Sequence, residues 1–214
     1  MMNMINKERI LVLAPHTDDG EFGCGASIVK FSDMGSELYY ATFSLCEESV
    51  PNRCPRDILE KEVKLATKIL GIKESNLLIY RYRVRRFAEN RQDILENLVE
   101  LNRTIKPTIV FMPSFNDLHQ DHHIIAQEGM RAFKKTTILA YEMPWNNITF
   151  STQLFIKLSK RHIEMKIAAL KEYESQKEKS YANENFIRSL AQTRGVSIDA
   201  QYAEAFEVVR CVIE

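Results

Sequence analysis

The sequence lacks any apolar run approaching the roughly 20 residues that cross a bilayer. Its N-terminus, MMNMINKERI, has no long apolar region either, so neither a membrane span nor a secretory signal is expected. Net charge is absent: 29 Lys and Arg balance 29 Asp and Glu, which gives no footing for general binding to nucleic acid or anionic membranes. The cysteines, Cys24, Cys46, Cys54 and Cys211, form no CxxC pair and no regular framework. They read as reduced thiols in a cytoplasmic protein, with Cys24, between two glycines, a small buried filler. No internal repeat, low-complexity tract or linker interrupts the 214 residues, a length that suits one domain spanning residues 1–214 with its own core.

What is present is an alternation. Short apolar, β-branched runs predict strands over Ile10–Ala14, Leu38–Leu45, Asn76–Tyr80, Thr108–Met112, Thr137–Glu142 and Glu207–Ile213. Amphipathic stretches between them predict helices over Gly23–Met34, Pro55–Leu70, Arg91–Ile105, Asp121–Phe133, Gln153–Glu174 and Asn183–Thr193. In Arg91–Ile105, for example, Ile94, Leu95, Leu98, Leu101 and Ile105 share one helical face. Gly35 and Gly71 sit where helices stop. Strand–helix alternation of this kind predicts an α/β fold, a mainly parallel sheet with helices on both faces. The helical stretch after Phe150 reads as a C-terminal addition to it.

The ionisable residues are not spread evenly. The segment APHTDDGEFGCG, directly after the strand run ILVL, spends His16, Asp18 and Asp19 within four positions. Three of the five histidines, His119, His122 and His123, crowd the segment FNDLHQDHH, which follows the run TIVFMP. Either segment alone is ordinary: Asp and Gly favour turns, and Asp121 could serve as a helix N-cap. Together they leave the C-terminal ends of two predicted strands, where open α/β sheets bind ligands. They meet if those strands are neighbours, as in the usual doubly wound order. His16 with Asp18 or Asp19, plus His119 or His122, would supply two imidazoles and a carboxylate. That set suits Zn²⁺ with one position left open for water, and it would also take Fe²⁺, Co²⁺ or Mn²⁺. A spare carboxylate as base and a spare histidine as donor would complete a hydrolytic centre. Gly20, Gly23 and Gly25 space as GxxGxG rather than GxGxxG, which disfavours a dinucleotide site.

PHTDDGEFGCG and HQDHH together resemble the PIG-L/LmbE-type N-deacetylases, marked by a PHPDDE-like turn and a later HPDH-like turn. KEYESQ, YAEAF, and RRF followed by RQDILENL extend the likeness over most of the chain. The resemblance implies a Rossmann-like fold and hydrolysis of the acetamide of N-acetylglucosamine-type sugars and their conjugates. Carried over by position, it implies zinc ligands His16, Asp19 and His122, and Asp18 as general base. It makes His119 a donor to the oxyanion or leaving amine, with Asp121 orienting it. Two positions depart from the pattern. Thr17 replaces a proline, and Gly20 stands where the family has glutamate, with Glu21 one place later.

Weaker signals surround this core. The stretch RYRVRRF places Arg81, Arg83, Arg85 and Arg86 beyond a strand; at least two of the four read as a solvated basic loop pairing with the chain's own acids, and Arg86, within the family-like RRF, is the candidate for gripping a phosphate or carboxylate of the substrate. Trp145, the single tryptophan, suits stacking on a sugar ring, a core position or a subunit contact. His123 reads as a bystander and His162 as a surface helix residue. The expected partner is a small N-acetylated sugar or sugar conjugate rather than nucleic acid, with homo-oligomerisation open. Two other readings keep the metal: an amidase or esterase acting on a non-sugar substrate, and a binding domain without turnover.

Overall fold

Alternate residues of the first strand pack into two separate cores. In β1 (Arg9–Ala14), Ile10, Val12 and Ala14 face one helical layer, and Leu11 and Leu13 face the other. A strand buried on both faces must be apolar throughout, which is why ILVLA shows no polar alternation. The structure, a computed structural model, describes residues 8–213.

The remaining strands are β2 (Glu37–Thr42), β3 (Leu77–Ile79), β4 (Ile109–Pro113), β5 (Thr137–Tyr141), β6 (Leu154–Leu158) and β7 (Tyr202–Arg210). They form one seven-stranded sheet in the order β3-β2-β1-β4-β5-β7-β6. The first five run parallel, and β7 is antiparallel to both β5 and β6. β1 pairs directly with β4, Ile10 opposite Ile109 and Val12 opposite Phe111. The chain order reverses on either side of this pair, so it is the switch point of the sheet, and the loops leaving it converge.

Among the described residues six α-helices cover the sheet: α1 (Asp19–Asp33), α2 (Ile58–Ile69), α3 (Arg91–Ile105), α4 (Gln120–Ala132), α5 (Lys160–Lys171) and α6 (Glu184–Val196). The predicted face of α3 is the buried one, with Ile94, Leu95, Leu98, Leu101 and Ile105 packed with residues of α4 beneath the sheet. α1, α2, α5 and α6 cover the opposite face. Gly35 and Gly71 follow α1 and α2 with φ of 80° and 90°, the left-handed geometry that glycine tolerates without strain.

Two expectations are corrected. Gln153–Glu174 is not one helix. Leu154–Leu158 pairs with β7 as an edge strand, and α5 starts only at Lys160, where Ser159 and His162 form a reciprocal capping box. The pairing surface, supplied by distant residues, overrode a local pattern that fits helix or strand. The last strand also begins at Tyr202 rather than Glu207. Glu204 interrupts its apolar run, yet this carboxylate is buried for a reason. α1 breaks at Cys24 (φ −144°, ψ 18°), and Glu204 caps the second half by accepting from Ala26 N, Ser27 N and Ser27 Oγ. Lys166 balances its charge at 2.7 Å and also donates to Phe22 O, on the near side of the break. The addition after Phe150 is thus part strand and part helix, and it holds the kinked helix that carries the acidic turn.

Candidate functional site

The first loop passes from β1 straight into α1, so the acidic residues lie at a helix N-terminus. Asp18 is the N-cap residue and Asp19 opens the first turn, where the helix dipole favours negative charge. The second loop runs from β4 to α4. His119 caps that helix, its Nδ1 accepting from Asp121 N, and places Asp121 and His122 in the first turn.

Three atoms meet between the two loops. His16 Nδ1 lies 3.1 Å from Asp19 Oδ2, His122 Nε2 lies 3.1 Å from the same oxygen, and the two nitrogens are 3.2 Å apart. Tetrahedral ligands 2.0–2.1 Å from one ion stand about 3.3 Å apart, so this near-equilateral triangle fits a zinc-sized cation with one position open toward the cleft. The far nitrogens are braced by carboxylates. His16 Nε2 is 3.2 Å from Asp121 Oδ2, and His122 Nδ1 is 2.7 Å from Asp117 Oδ2. A proton on each far nitrogen leaves the inner lone pair free for a metal, the usual carboxylate–histidine arrangement around an ion. Ring nitrogens of His16, His119 and His122 also lie within 4.8 Å of one another. The triangle through Asp19, whose Oδ2 also accepts from His16 N at 2.8 Å, is the tighter of the two sets.

The electrostatics follow from this crowding. Burial works against the charge of Asp19, but His122 and His16 outweigh it and hold the carboxyl well below its usual range. Burial also disfavours a charged His122, yet Asp19 and Asp117 raise it to about 10, so the carboxylates around it make a negative field that favours a cation. Asp18 differs. Burial and neighbouring Asp19 push it up to about 7, which marks a carboxylate able to accept a proton. Burial and then His16 and His122 lower His119 to about 4. His119 is therefore a neutral imidazole whose Nδ1 accepts and whose Nε2 carries the donor hydrogen.

An open cleft of about 370 Å³ lies above the triangle, lined by His16, Asp18, Asp19, His119, His122 and Trp145 among others. Trp145 stacks on Tyr181 at 4.1 Å with the rings 7° from parallel, and Phe22 meets both edge-on. Arg86 turns to Glu89 and does not line the cleft; Arg85, one residue earlier, does. His123 meets Gln127 outside the triangle. Asp121 was expected to orient His119. Its side chain instead grips His16 and accepts from Arg85 N at 2.6 Å and Phe87 N at 3.3 Å, and only its backbone N–H reaches His119. Sequence reading missed Asp117 altogether, although its place five residues before His122 in a histidine-rich turn was the available signal. Replacing Asp117 by Ala should weaken metal affinity about 10–100-fold, read by competition with a chromophoric chelator; unchanged affinity would show that the brace is idle.

At Thr17 and Gly20 the turn packs against two tyrosines. A Cβ at Gly20 would sit 2.6 Å from the Tyr40 ring, so Tyr40 occupies the space that a side chain there would need. Glu21, fully buried, meets the hydroxyls of Tyr40 and Tyr173, and both hydroxyls also lie within 3 Å of Thr17 O. Four such contacts need more protons than two tyrosines carry, and burial raises Glu21 to about 8, so the carboxyl supplies a third. Because its folded pKa lies above the ordinary 4.5, the native state holds an extra proton between these values. Stability from this group is complete below about pH 4.5 and is lost as pH rises through 8. Glu21→Gln, which keeps the neutral shape, should flatten that decline in urea midpoints measured across the range; an unchanged slope would assign the proton elsewhere.

The fold and these loops define an α/β protein with a His/Asp centre at its switch point. The description of the matching family model is PIG-L, GlcNAc-PI de-N-acetylase, and it spans residues 11–133. The chain belongs to this family. It is 28% identical over 191 residues to the uncharacterized deacetylase YaiS of Escherichia coli K12, covering 82% of this chain and 96% of that one. Its structure superposes on the N,N'-diacetylchitobiose deacetylase of Pyrococcus horikoshii with a TM-score of 0.77 at 22% identity, over 95% and 84% of the two chains. It also superposes on GalB, the 4-carboxy-2-hydroxymuconate hydratase of Pseudomonas putida KT2440, with a TM-score of 0.78 at 17% identity, over 97% and 98%. At these identities the two structural likenesses establish the Rossmann-like fold. Among the described residues, no helix is long and apolar enough to cross a membrane.

Proposed function

We propose that the protein is a metal-dependent N-deacetylase acting on an N-acetylglucosamine-type sugar or sugar conjugate. The observation that carries this reading is the triangle of His16 Nδ1, Asp19 Oδ2 and His122 Nε2 with the unliganded Asp18 carboxylate beside it. Membership of a de-N-acetylase family supports it. These three residues would hold a divalent cation, zinc first, which would supply acidity to a water molecule and polarise the acetamide carbonyl. Asp18 takes the proton of the attacking water and passes it toward the departing amine. His119, with its hydrogen on Nε2, donates to the oxygen that gains charge in the transition state. Asp121 and Asp117 hold the two imidazoles in the tautomers this requires. The aromatic wall of Trp145 and Tyr181 borders the space where a sugar ring would lie.

The same fold in GalB is the reason to keep a non-sugar substrate as the second reading. Incubating the zinc-loaded protein with N-acetylated sugars, glycosides, nucleotide sugars and simple acetamides, followed by mass spectrometry, separates the two. Loss of one acetyl group from the amino sugars is the expected result. Turnover confined to non-sugar amides or esters would move the protein to the second reading.

A further inference from the structure

We infer that Arg85 and Lys179 form an anion subsite at the rim of the cleft, for a carboxylate or phosphate carried by the substrate away from its acetamide. This deepens the deacetylase reading and rests on it for the position of the acetamide.

The first support is pairing. The stretch Arg81–Arg86 holds four arginines, and three are neutralised: Arg81 by Glu47 and Glu60, Arg83 by Glu48, and Arg86 by Glu89. Arg85 has no carboxylate partner among the described residues; its guanidinium meets only the Ser49 hydroxyl at 3.1 Å, and it lines the cleft. The same contrast holds for a second cation of the lining. Lys177 pairs with Glu174 and Arg53 with Glu178, whereas Lys179, likewise without a carboxylate partner among the described residues, lines the cleft.

The second support is backbone geometry. Arg85 has φ of 64°, a left-handed conformation that costs a non-glycine residue free energy and persists only where its surroundings enforce it. What enforces it is Asp121, which accepts from Arg85 N at 2.6 Å while contacting His16 Nε2. The loop that presents the guanidinium is therefore tied to the carboxylate that braces a proposed metal ligand, so rim and centre are held in register.

The third support is charge layout. The carboxylates lining the cleft are Asp18 and Asp19, both at its floor. Cations at the rim and carboxylates at the floor favour one orientation for a substrate with an anionic end: anion outward, neutral acetamide inward.

The test compares three derivatives of N-acetylglucosamine on the zinc-loaded full chain: the neutral methyl glycoside, the carboxymethyl glycoside and the 1-phosphate. At low salt, at least one anionic substrate should exceed the methyl glycoside in kcat/KM by about 10–100-fold, as expected for charge-assisted hydrogen bonds. The gain should lie mainly in KM, and which anion benefits identifies the source of the charge. Arg85→Gln and Lys179→Gln should each shrink the ratio of anionic to neutral substrate, and the double variant should bring it close to one. Equal handling of all three substrates overturns the subsite while leaving the deacetylase reading intact. So does an Arg85→Gln effect that lowers all three alike, which would mean that Arg85 binds the sugar itself. If none of the three releases amine, titration calorimetry with the two glycosides decides. Tighter binding of the carboxymethyl form that Arg85→Gln abolishes keeps the subsite without the deacetylase, and equal affinities remove it.

Discussion

Replacing Asp18 by Asn should lower kcat about 10²–10⁴-fold, the usual contribution of a positioned general base, while zinc content stays at the parental level. The amide keeps the size of the side chain but cannot take a proton. Apart from its own backbone N–H, no described hydrogen bond holds the Asp18 carboxylate, and it lines the cleft outside the triangle. The pH profile gives a second signature. Burial and Asp19 raise Asp18 toward 7, and a bound cation pulls it back down, but the sign of its effect on rate is fixed. The base must be ionised, so kcat/KM falls as pH drops through its pKa, and Asp18→Asn should erase that acid limb. If Asp18→Asn lost its metal while Asp19→Asn kept it, the roles of the two aspartates would be exchanged. Parental activity in both variants would leave the acidic turn as architecture alone.

Removing one imidazole of the triangle should be as severe, by a different route. His122→Ala should abolish measurable metal binding and activity together, because it deletes an inner nitrogen and leaves Asp117 buried without its partner at 2.7 Å. Loss of that partner also costs stability, so the variant needs a circular dichroism check of folding. His123→Ala, one residue further round the helix, should keep its metal, since His123 faces Gln127 outside the triangle. His119→Ala separates the competing ligand sets. It should keep metal and lose rate if Asp19 is the third ligand, and it should lose metal if the three imidazoles hold the ion. Metal content by mass spectrometry reads all three variants.

The sheet and the meeting of the two loops were legible because their causes are local. An apolar run buried on both faces must be continuous, and a turn built from His, Asp and Gly at its end shows as a break in that run. The neighbouring of β1 and β4 was assumed from fold type, and the pairing of Ile10 with Ile109 supplies it. What stayed hidden depends on partners far along the chain. Glu204 looked like an interruption in a strand until Ala26 and Ser27, some 178 and 177 residues away, were seen to need its carboxylate. Leu154–Leu158 becomes a strand because β7 offers it an edge. Asp117 and Asp121 were ambiguous for the same reason: a carboxylate near a histidine can orient it, cap a helix or do neither, and only the fold shows which nitrogen it reaches. Among the arginines, Arg86 matched a motif, but glutamates elsewhere decide which guanidinium is left facing the cleft.

The most direct test strips the protein of metal and titrates Zn²⁺ back while acetate release from an N-acetylglucosamine glycoside that the panel shows to be deacetylated is followed. The rate should start near zero, climb in proportion to added zinc and break at one equivalent per chain, as a single triangle of His16, Asp19 and His122 requires. Full activity in the stripped protein, or a rate indifferent to added zinc, would contradict it.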